Sequence, residues 1–476
     1  MVAVGEEGVK VAVGEGMKNF GGGGCHLLPI VSDYRENTSQ IQTYIVHVLK
    51  PEGSIFLGTE DLKNWHKSFL PNATLDTGEP RLLYSYKETI SGFASRLTTE
   101  EVRAIEKMDG FLRANPSQRL ELQRLLDIGI HLPHPSFDDK GMPPRPRGWN
   151  ASCYFQKPSC NNKVIGAQTF RYGPSTIPPT DIDNGHGMAP RAFISVYKNC
   201  WIDIGFPSVD VIAGIDQAIQ DGVDILQMSI VPKHPLPDSF SKDDVAIGTY
   251  SAMQKDIFPC VAVGNNGPSL ETLGCAAPWD MVVGATTIDR RIRVTGNGQQ
   301  FHGESAYQPN IVTNKFLPLI FPGSNGQIDQ LICRNNSLNG INVRGKIVMC
   351  YAMGRGTENI EKGDVVKNAG GVGMIIMNLL PDGFITYSTT HHLPVSRVSY
   401  IDSLQIEDYI ATNSTPIAKI TFGGAIFGTR PALALAYFSS RGPTKYNGNI
   451  VKPDVIAPGV NILSAWTAEV GPFPLV

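Results

Sequence analysis

Between residues 192 and 263 the chain alternates apolar strand-like runs with helical stretches, and this alternation restricts the fold more than any other feature. The runs at 192–197, 223–230 and 257–263 are largely apolar, as strands buried on both faces tend to be. Between them, 210–220 sets Val211, Ile212, Ile215 and Ile219 on one helical face, and 244–255 reads as a second helix. Strand, helix and strand in this rhythm predict an α/β fold: a parallel sheet with helices on both faces. The stretch 310–425 breaks the rhythm with β-rich runs at 346–349 and 417–421 and one helix-to-strand unit at 365–377, so it reads as an inserted β-rich domain. The sheet pattern is expected to resume at 434–438.

Upstream lies a different pattern. Strands are predicted at 43–48, 81–86, 92–97 and 111–114, with helices at 59–70 and from Thr98 to Met108. Thr98 and Glu101 form a capping box that opens the second helix. The order β-α-β-β-α-β is a split-βαβ, ferredoxin-like unit spanning about 42–118. Residues 1–41 show no periodicity and are expected to be disordered; they contain no apolar stretch of signal-peptide kind.

With 476 residues, 42% of them hydrophobic, the chain can build a large core without help from a metal or disulfide. A net charge of −3 leaves no footprint for nucleic acid, and no apolar run reaches the ~18 residues of a membrane span. Of the eight cysteines, Cys153 with Cys160 and Cys333 with Cys350 could be bridges in an oxidising compartment or buried free thiols. Neither pair has CxxC spacing or a histidine cluster nearby, which argues against zinc. Gly370, Gly371, Val372 and Gly373 follow a helix and precede a strand, the reverse of a phosphate-cradling loop. No cofactor is therefore expected. Sequons at Asn37, Asn72, Asn150, Asn335 and Asn413 would suit a glycosylated, secreted chain.

Three short stretches could carry chemistry. Asp127 ends the apolar run Leu125-Leu126 and is followed by Ile128-Gly129; functional residues in parallel sheets sit at such carboxyl ends, although a turn Asp reads the same way. His186 lies between Gly185 and Gly187, which let the backbone bring an imidazole close to a partner. Asn265 follows the run at 257–263, where a side-chain amide could donate to an oxyanion or simply make a turn.

The order Asp, His, oxyanion Asn is that of subtilisins. The chain resembles the plant subtilisin-like serine proteases (subtilases) over nearly its whole length. The resemblance rests on His-Pro-Ser-Phe-Asp-Asp-Lys-Gly-Met at 134–142, Cys-Asn-Asn-Lys-Val-Ile-Gly-Ala at 160–167, Asp-Gln-Ala-Ile-Gln-Asp-Gly-Val-Asp at 216–224 and Val-Gly-Ala-Thr-Thr-Ile-Asp-Arg at 283–290. Phe-Ser-Ser-Arg-Gly-Pro at 438–443 and Lys-Pro-Asp-Val-Ile-Ala-Pro-Gly at 452–459 extend it. It implies an inhibitor I9-like propeptide at 42–118, a subtilisin-like catalytic domain at 122–309 and 426–476, and a protease-associated insertion at 310–425. It also implies Asp127 as the triad acid, His186 as the general base, Asn265 as the oxyanion donor, peptide or protein substrates and an extracellular location.

Several positions depart from the family. Ile128 replaces the Thr after the triad Asp, and His186-Gly187 runs directly into Met188-Ala189-Pro190, without the helix that normally packs the histidine. The maturation junction before Asp127 is shortened, Val231 stands where the substrate-pairing edge has Gly, and Cys275 replaces an Asn. No Gly-Thr-Ser nucleophile motif occurs among the 476 residues. The expectation is a peptidase by ancestry that does not itself cleave peptides. The alternative is a non-catalytic homologue whose propeptide-like unit binds or inhibits a related subtilase.

Overall fold

The computed structural model describes residues 10–13, 40–51, 56, 58–120, 135–149, 151–153, 159–170, 191–199, 206–231, 239–289, 291–292, 301–305, 315–353, 358–389, 391–421, 425–426, 428, 430–444 and 450–462. The first element, strand β1 (Lys10–Val13), is a short valine-rich run. It lies within the segment expected to be disordered, and the correction has a physical reason: β-branched residues fit a pleated surface wherever backbone partners exist.

A four-stranded antiparallel unit follows: β2 (Gln42–Val48), α1 (Thr59–Lys67), β3 (Leu82–Tyr86), β4 (Gly92–Leu97), α2 (Thr99–Ile105) and β5 (Phe111–Pro116). Its spatial order, β3-β4-β2-β5, is that of the predicted ferredoxin-like unit. The Thr98–Glu101 capping box is present in both directions. The strands use the two-residue period to bury both faces. Tyr44, Val46, Val48, Phe93 and Leu97 pack with Val102 and Ile105 of α2. Ile45, Tyr86 and Ala94 join a different core, shared with the helices of the next unit.

The remaining elements of that unit are β6 (Arg119–Leu120), β7 (Val164–Thr169), β8 (Phe193–Lys198), β9 (Phe206–Pro207), α3 (Ser208–Asp221), β10 (Ile225–Met228), α4 (Asp244–Met253), β11 (Phe258–Ala262) and β12 (Met281–Thr286). Asp243 caps α4 by accepting from the amides of Val245 and Ala246. Gly222, at φ +69°, ends α3 in the left-handed conformation that glycine adopts without a Cβ penalty. Seven strands form the main sheet, in the order Val455–Pro458, β12, β11, β10, β1, β8, β7. Every pairing in it is parallel. β1 occupies the interior slot between β8 and β10, pairing Val11 with Ile194 and Ile225. The expected resumption of the sheet at 434–438 is corrected: Leu435 makes a single bridge to Thr286, and the strand that adds to the sheet edge is Val455–Pro458.

Between these parts a second sheet forms, six-stranded, in the order Gly303–Glu304, Val395–Val398, Gly373–Met377, Ile347–Tyr351, Leu317–Ile320, Ile417–Ala418. It starts upstream of the expected residue 310. Apolar clusters cover both of its faces. Helix Glu358–Asn368 leads through Gly370, at φ +91°, into strand Gly373–Met377, so the glycine run lies after a helix as expected. Both cysteine pairs, Cys153–Cys160 and Cys333–Cys350, are disulfides. No helix among the described residues is long and apolar enough to cross a membrane.

One titratable group lies in the core of the four-stranded unit. His66 of α1 is fully buried, with Nδ1 2.6 Å from the Ser85 hydroxyl and Nε2 lacking a partner. Burial, then the Lys50 charge, holds its pKa down at about 4 against an ordinary 6.5. A depressed folded value means that this contribution to stability is complete above pH 6.5 and is lost as the pH falls toward 4, by about 3 kcal/mol in all. In a 42–118 fragment, whose only tryptophan is Trp65, urea unfolding followed by fluorescence should show a steeper loss of stability between pH 6.5 and 4.5 than His66→Gln, which cannot take the proton. Equal slopes for the two proteins would refute this assignment.

Candidate active site

In open parallel sheets, ligands gather at the carboxyl ends of the strands. β10 and β11 are sheet neighbours with the same direction, so their ends open on one edge. Asn265 lies three residues past β11, half-buried. Its loop is pinned from the side. Gly264 takes φ +100°, its carbonyl accepts the Ser440 amide at 3.0 Å, and the Ser440 hydroxyl accepts from the Asn266 amide at 3.0 Å. Gly267 donates to the Phe438 carbonyl at 2.9 Å, and the Ser439 hydroxyl accepts from Ala285 at 3.1 Å. The Phe-Ser-Ser-Arg-Gly-Pro motif is thus a clamp on the Asn265 loop. Sequence reading recognised the motif but not this task, because hydroxyl-to-amide contacts across about 170 residues leave no local signal.

Asp127 and His186 lie outside the described residues, so Asn265 is the only one of the three candidates whose surroundings are described. Val231, beyond β10, is 1% exposed and packs against Gly274. The Cys275 thiol sits 3.7 Å from the Ile230 carbonyl, and burial pushes its pKa well up, which keeps it protonated.

The second feature of this region is the face formed by α3 and α4, on which the four-stranded unit docks. Asp216 is 5% exposed, and its Oδ1 accepts from the backbone amides of Lys87 at 3.0 Å, Glu88 at 2.7 Å and Thr89 at 2.8 Å, and from the Thr89 hydroxyl at 2.9 Å. Gln220 Nε2 donates to Oδ2 at 2.8 Å. Asp210 accepts from the Tyr84 hydroxyl at 2.9 Å, and the Tyr86 hydroxyl donates to the Val209 carbonyl. At the start of α4, Asp244 Oδ1 lies 2.8 Å from His47 Nε2 and accepts from Asn115 at 3.1 Å, with Arg113 3.5 Å away. Asp243 and Asp280 stand behind it; burial above all raises them to about 6 and about 7. The sequence reading did not single out the carboxylates along α3 and α4. Their burial becomes visible only once the second unit is in place.

An α/β parallel sheet with an edge loop carrying Asn265, covered on one helical face by a ferredoxin-like unit, defines the class: a subtilisin-like fold joined to a protease-inhibitor-type unit. Comparison with known proteins agrees. Residues 165–472 match the subtilase family model and residues 43–123 the peptidase inhibitor I9 model. The chain belongs to the subtilase family. It is 35% identical over 529 residues to the subtilisin-like protease SBT1.7 of Arabidopsis thaliana, covering 95% of this chain and 67% of that one. It is 33% identical to SBT1.4 of the same plant, covering 94% and 66%. It therefore spans about two thirds of the length of these relatives. An aligned span of 529 residues exceeds this chain's 476, so the match includes gaps opened in this chain.

Asp216→Ala removes the acceptor of three backbone amides and a hydroxyl, and the buried Thr89 amide and hydroxyl left unpaired each cost about 1–3 kcal/mol. The expected outcome is loss of docking without unfolding of either unit. Hydrogen exchange at β3 and β4 should accelerate at least tenfold, while the strand Gly373–Met377 stays protected. Unchanged protection in β3 and β4 would show that apolar contact alone holds the units together.

Proposed function

We propose that this chain is a serine-endopeptidase homologue whose I9-type unit holds it in an inhibited form, and that this polypeptide does not turn over peptides. The observation that carries the reading is the buried Asp216 anchor, which fastens the I9-type unit to the family's catalytic fold. In the family chemistry, His186 would take the proton of an attacking hydroxyl, Asp127 would hold the imidazole tautomer and stabilise its charged form, and Asn265 would donate to the tetrahedral oxyanion. An amide donor of that kind is worth about 2.7–4 kcal/mol in subtilisin.

Two observations argue against turnover. Val231, which stands where the family's substrate-pairing edge has Gly, is 1% exposed and packed against Gly274. No Gly-Thr-Ser nucleophile motif occurs among the 476 residues, and in the sequence His186-Gly187 runs directly into Met188-Ala189-Pro190. The insertion at 310–425 fits a protease-associated domain that mediates contacts. The two disulfides fit an oxidising, extracellular setting, as do the exposed sequon residues Asn72, Asn335 and Asn413.

Incubation of the full chain with a library of internally quenched peptides should give no cleavage above background. Turnover that a serine-reactive phosphonate abolishes would overturn the proposal. A second reading, that the I9-type unit acts on a related subtilase in trans, draws on the same anchor: the unit offers mostly backbone amides, which require of a partner only a helix carboxylate in register. A 42–118 fragment should then inhibit an active subtilase at micromolar concentration, and absence of binding in that range would dispose of this reading.

A further inference from the structure

The inserted domain reaches the main sheet through a loop of its own. Ile385 and Tyr387 are buried together with Ala285 of β12, Ala436, Phe438 and Val460 in one apolar cluster. The chain on both sides of Tyr387 is tied down. The Asn461 side chain accepts the Ser388 amide at 2.9 Å, and it donates to the Thr386 carbonyl at 2.8 Å and to Glu304. Asn378, fully buried, donates to the Ile385 carbonyl at 2.7 Å. Each residue from 385 to 388 is thus held by a contact of its own.

The Tyr387 ring is fixed as well. The Arg397 guanidinium lies 4.6 Å from its centroid. Arg397 is itself buried; its Nε donates to the Asn378 side-chain oxygen at 2.7 Å, and Asp382 lies 3.5 Å from Nη2. A buried charge holds its place because losing its partners there is costly, and an aromatic face attracts it further. The same ring pairs with Phe438, the centroids 6.5 Å apart. Phe438 begins the clamp on the Asn265 loop: its carbonyl accepts the Gly267 amide, and two residues on the Ser440 hydroxyl accepts from Asn266. The loop lies so close to the clamp that a Cβ at Gly267 would collide with the carbonyls of Tyr437 and Ser439. A shift of Phe438 therefore passes to the loop, since no slack between them could absorb it.

We propose that Tyr387 is a positioning residue for the Asn265 loop, and that the inserted domain, through Arg397, Tyr387 and Phe438, sets where Asn265 stands. Tyr387 acts only through the clamp. The insertion is then a brace for the candidate site as well as a surface for contacts. A ligand that displaced 385–388 from its place would change the geometry at Asn265 without approaching it. The reading of Asn265 as an oxyanion donor supplies the consequence of this bracing; the bracing itself requires no turnover.

Hydrogen exchange of the full chain, resolved to the Asn266 and Gly267 amides, tests this, because both amides bond to the clamp. Tyr387→Leu removes the ring but keeps apolar bulk, and the two amides should exchange at least about tenfold faster than in the unaltered chain. Tyr387→Phe keeps the ring and should restore the original rates. Ile406→Ala loosens the apolar cluster beneath helix Tyr400–Thr412, so it weakens the insertion without touching the ring and should leave both amides unchanged. Equal acceleration in Ile406→Ala, equal acceleration in Tyr387→Phe, or none in Tyr387→Leu would overturn the proposal. Should Tyr387→Leu not fold, Arg397→Lys is measured in its place. Lysine has no planar guanidinium to lay on the ring, so the two amides should exchange at least about threefold faster, and unchanged rates would overturn the proposal. A peptidase signal in the turnover assay would leave these results standing, so the two proposals can fail separately.

Discussion

The Asp216 carboxylate is the contact on which the assembled molecule depends. A charge at 5% exposure is tolerated only when donors surround it, and here the donors are three successive amides of the turn between β3 and β4, a threonine hydroxyl and Gln220. Neither partner could bury these groups alone. Apart, the turn amides would return to water, and Ile45, Tyr86, Ile90 and Ala94 would be uncovered together with Val209 and Ile212 of α3. The polar anchor fixes the register, and the apolar area around it supplies the driving force. This division accounts for the burial of Tyr44 to Val48 in β2, whose alternate residues pack into two different cores.

The main sheet obeys a constraint of another kind. Two parallel strands separated by one strand width leave unpaired amides and carbonyls on both facing edges, and buried backbone groups seldom stay unpaired. The gap between β8 and β10 therefore has to be filled, and it is filled by β1, whose Val11, Ala12 and Val13 pair with both neighbours. What the slot selects is a short, β-branched, apolar run of parallel direction. Lys10–Val13 meets that description although it lies upstream of the whole I9-type unit.

The fold was legible where local chemistry decides structure. The ferredoxin-like order came from the sequence of strand-like runs and helices and from a capping box, and α3, α4, β8, β10 and β11 follow from hydrophobic pattern. It was illegible where a distant partner decides. β1 is four residues long among glycines and charges, too short for any periodicity to register. Helix Tyr400–Thr412 escaped because only Ser403 and Ile406 are buried in it, while Ile401 and Leu404 face solvent, so its apolar residues draw no stripe. Cysteine spacing left bridges and free thiols equally open, and the fold decided by bringing the pairs together. At the candidate site, Asn265 was singled out by its place after an apolar run. The carboxylates at 210, 216 and 244 were not, since helix charges look alike until one face is covered.

The groups that hold this fold and the groups that would carry its chemistry occupy different places. Stability resides in the shared core, the helix carboxylates and the Ser439–Ser440 clamp, whereas chemistry would reside on loops at the strand ends. Loops can be shortened or replaced without disturbing packing beneath them, so a chain can lose pieces of a catalytic edge and still bury its core. Val231 shows how far that tolerance extends. A larger side chain entering a packed edge ordinarily forces strain, but opposite a glycine it finds room and contributes apolar burial.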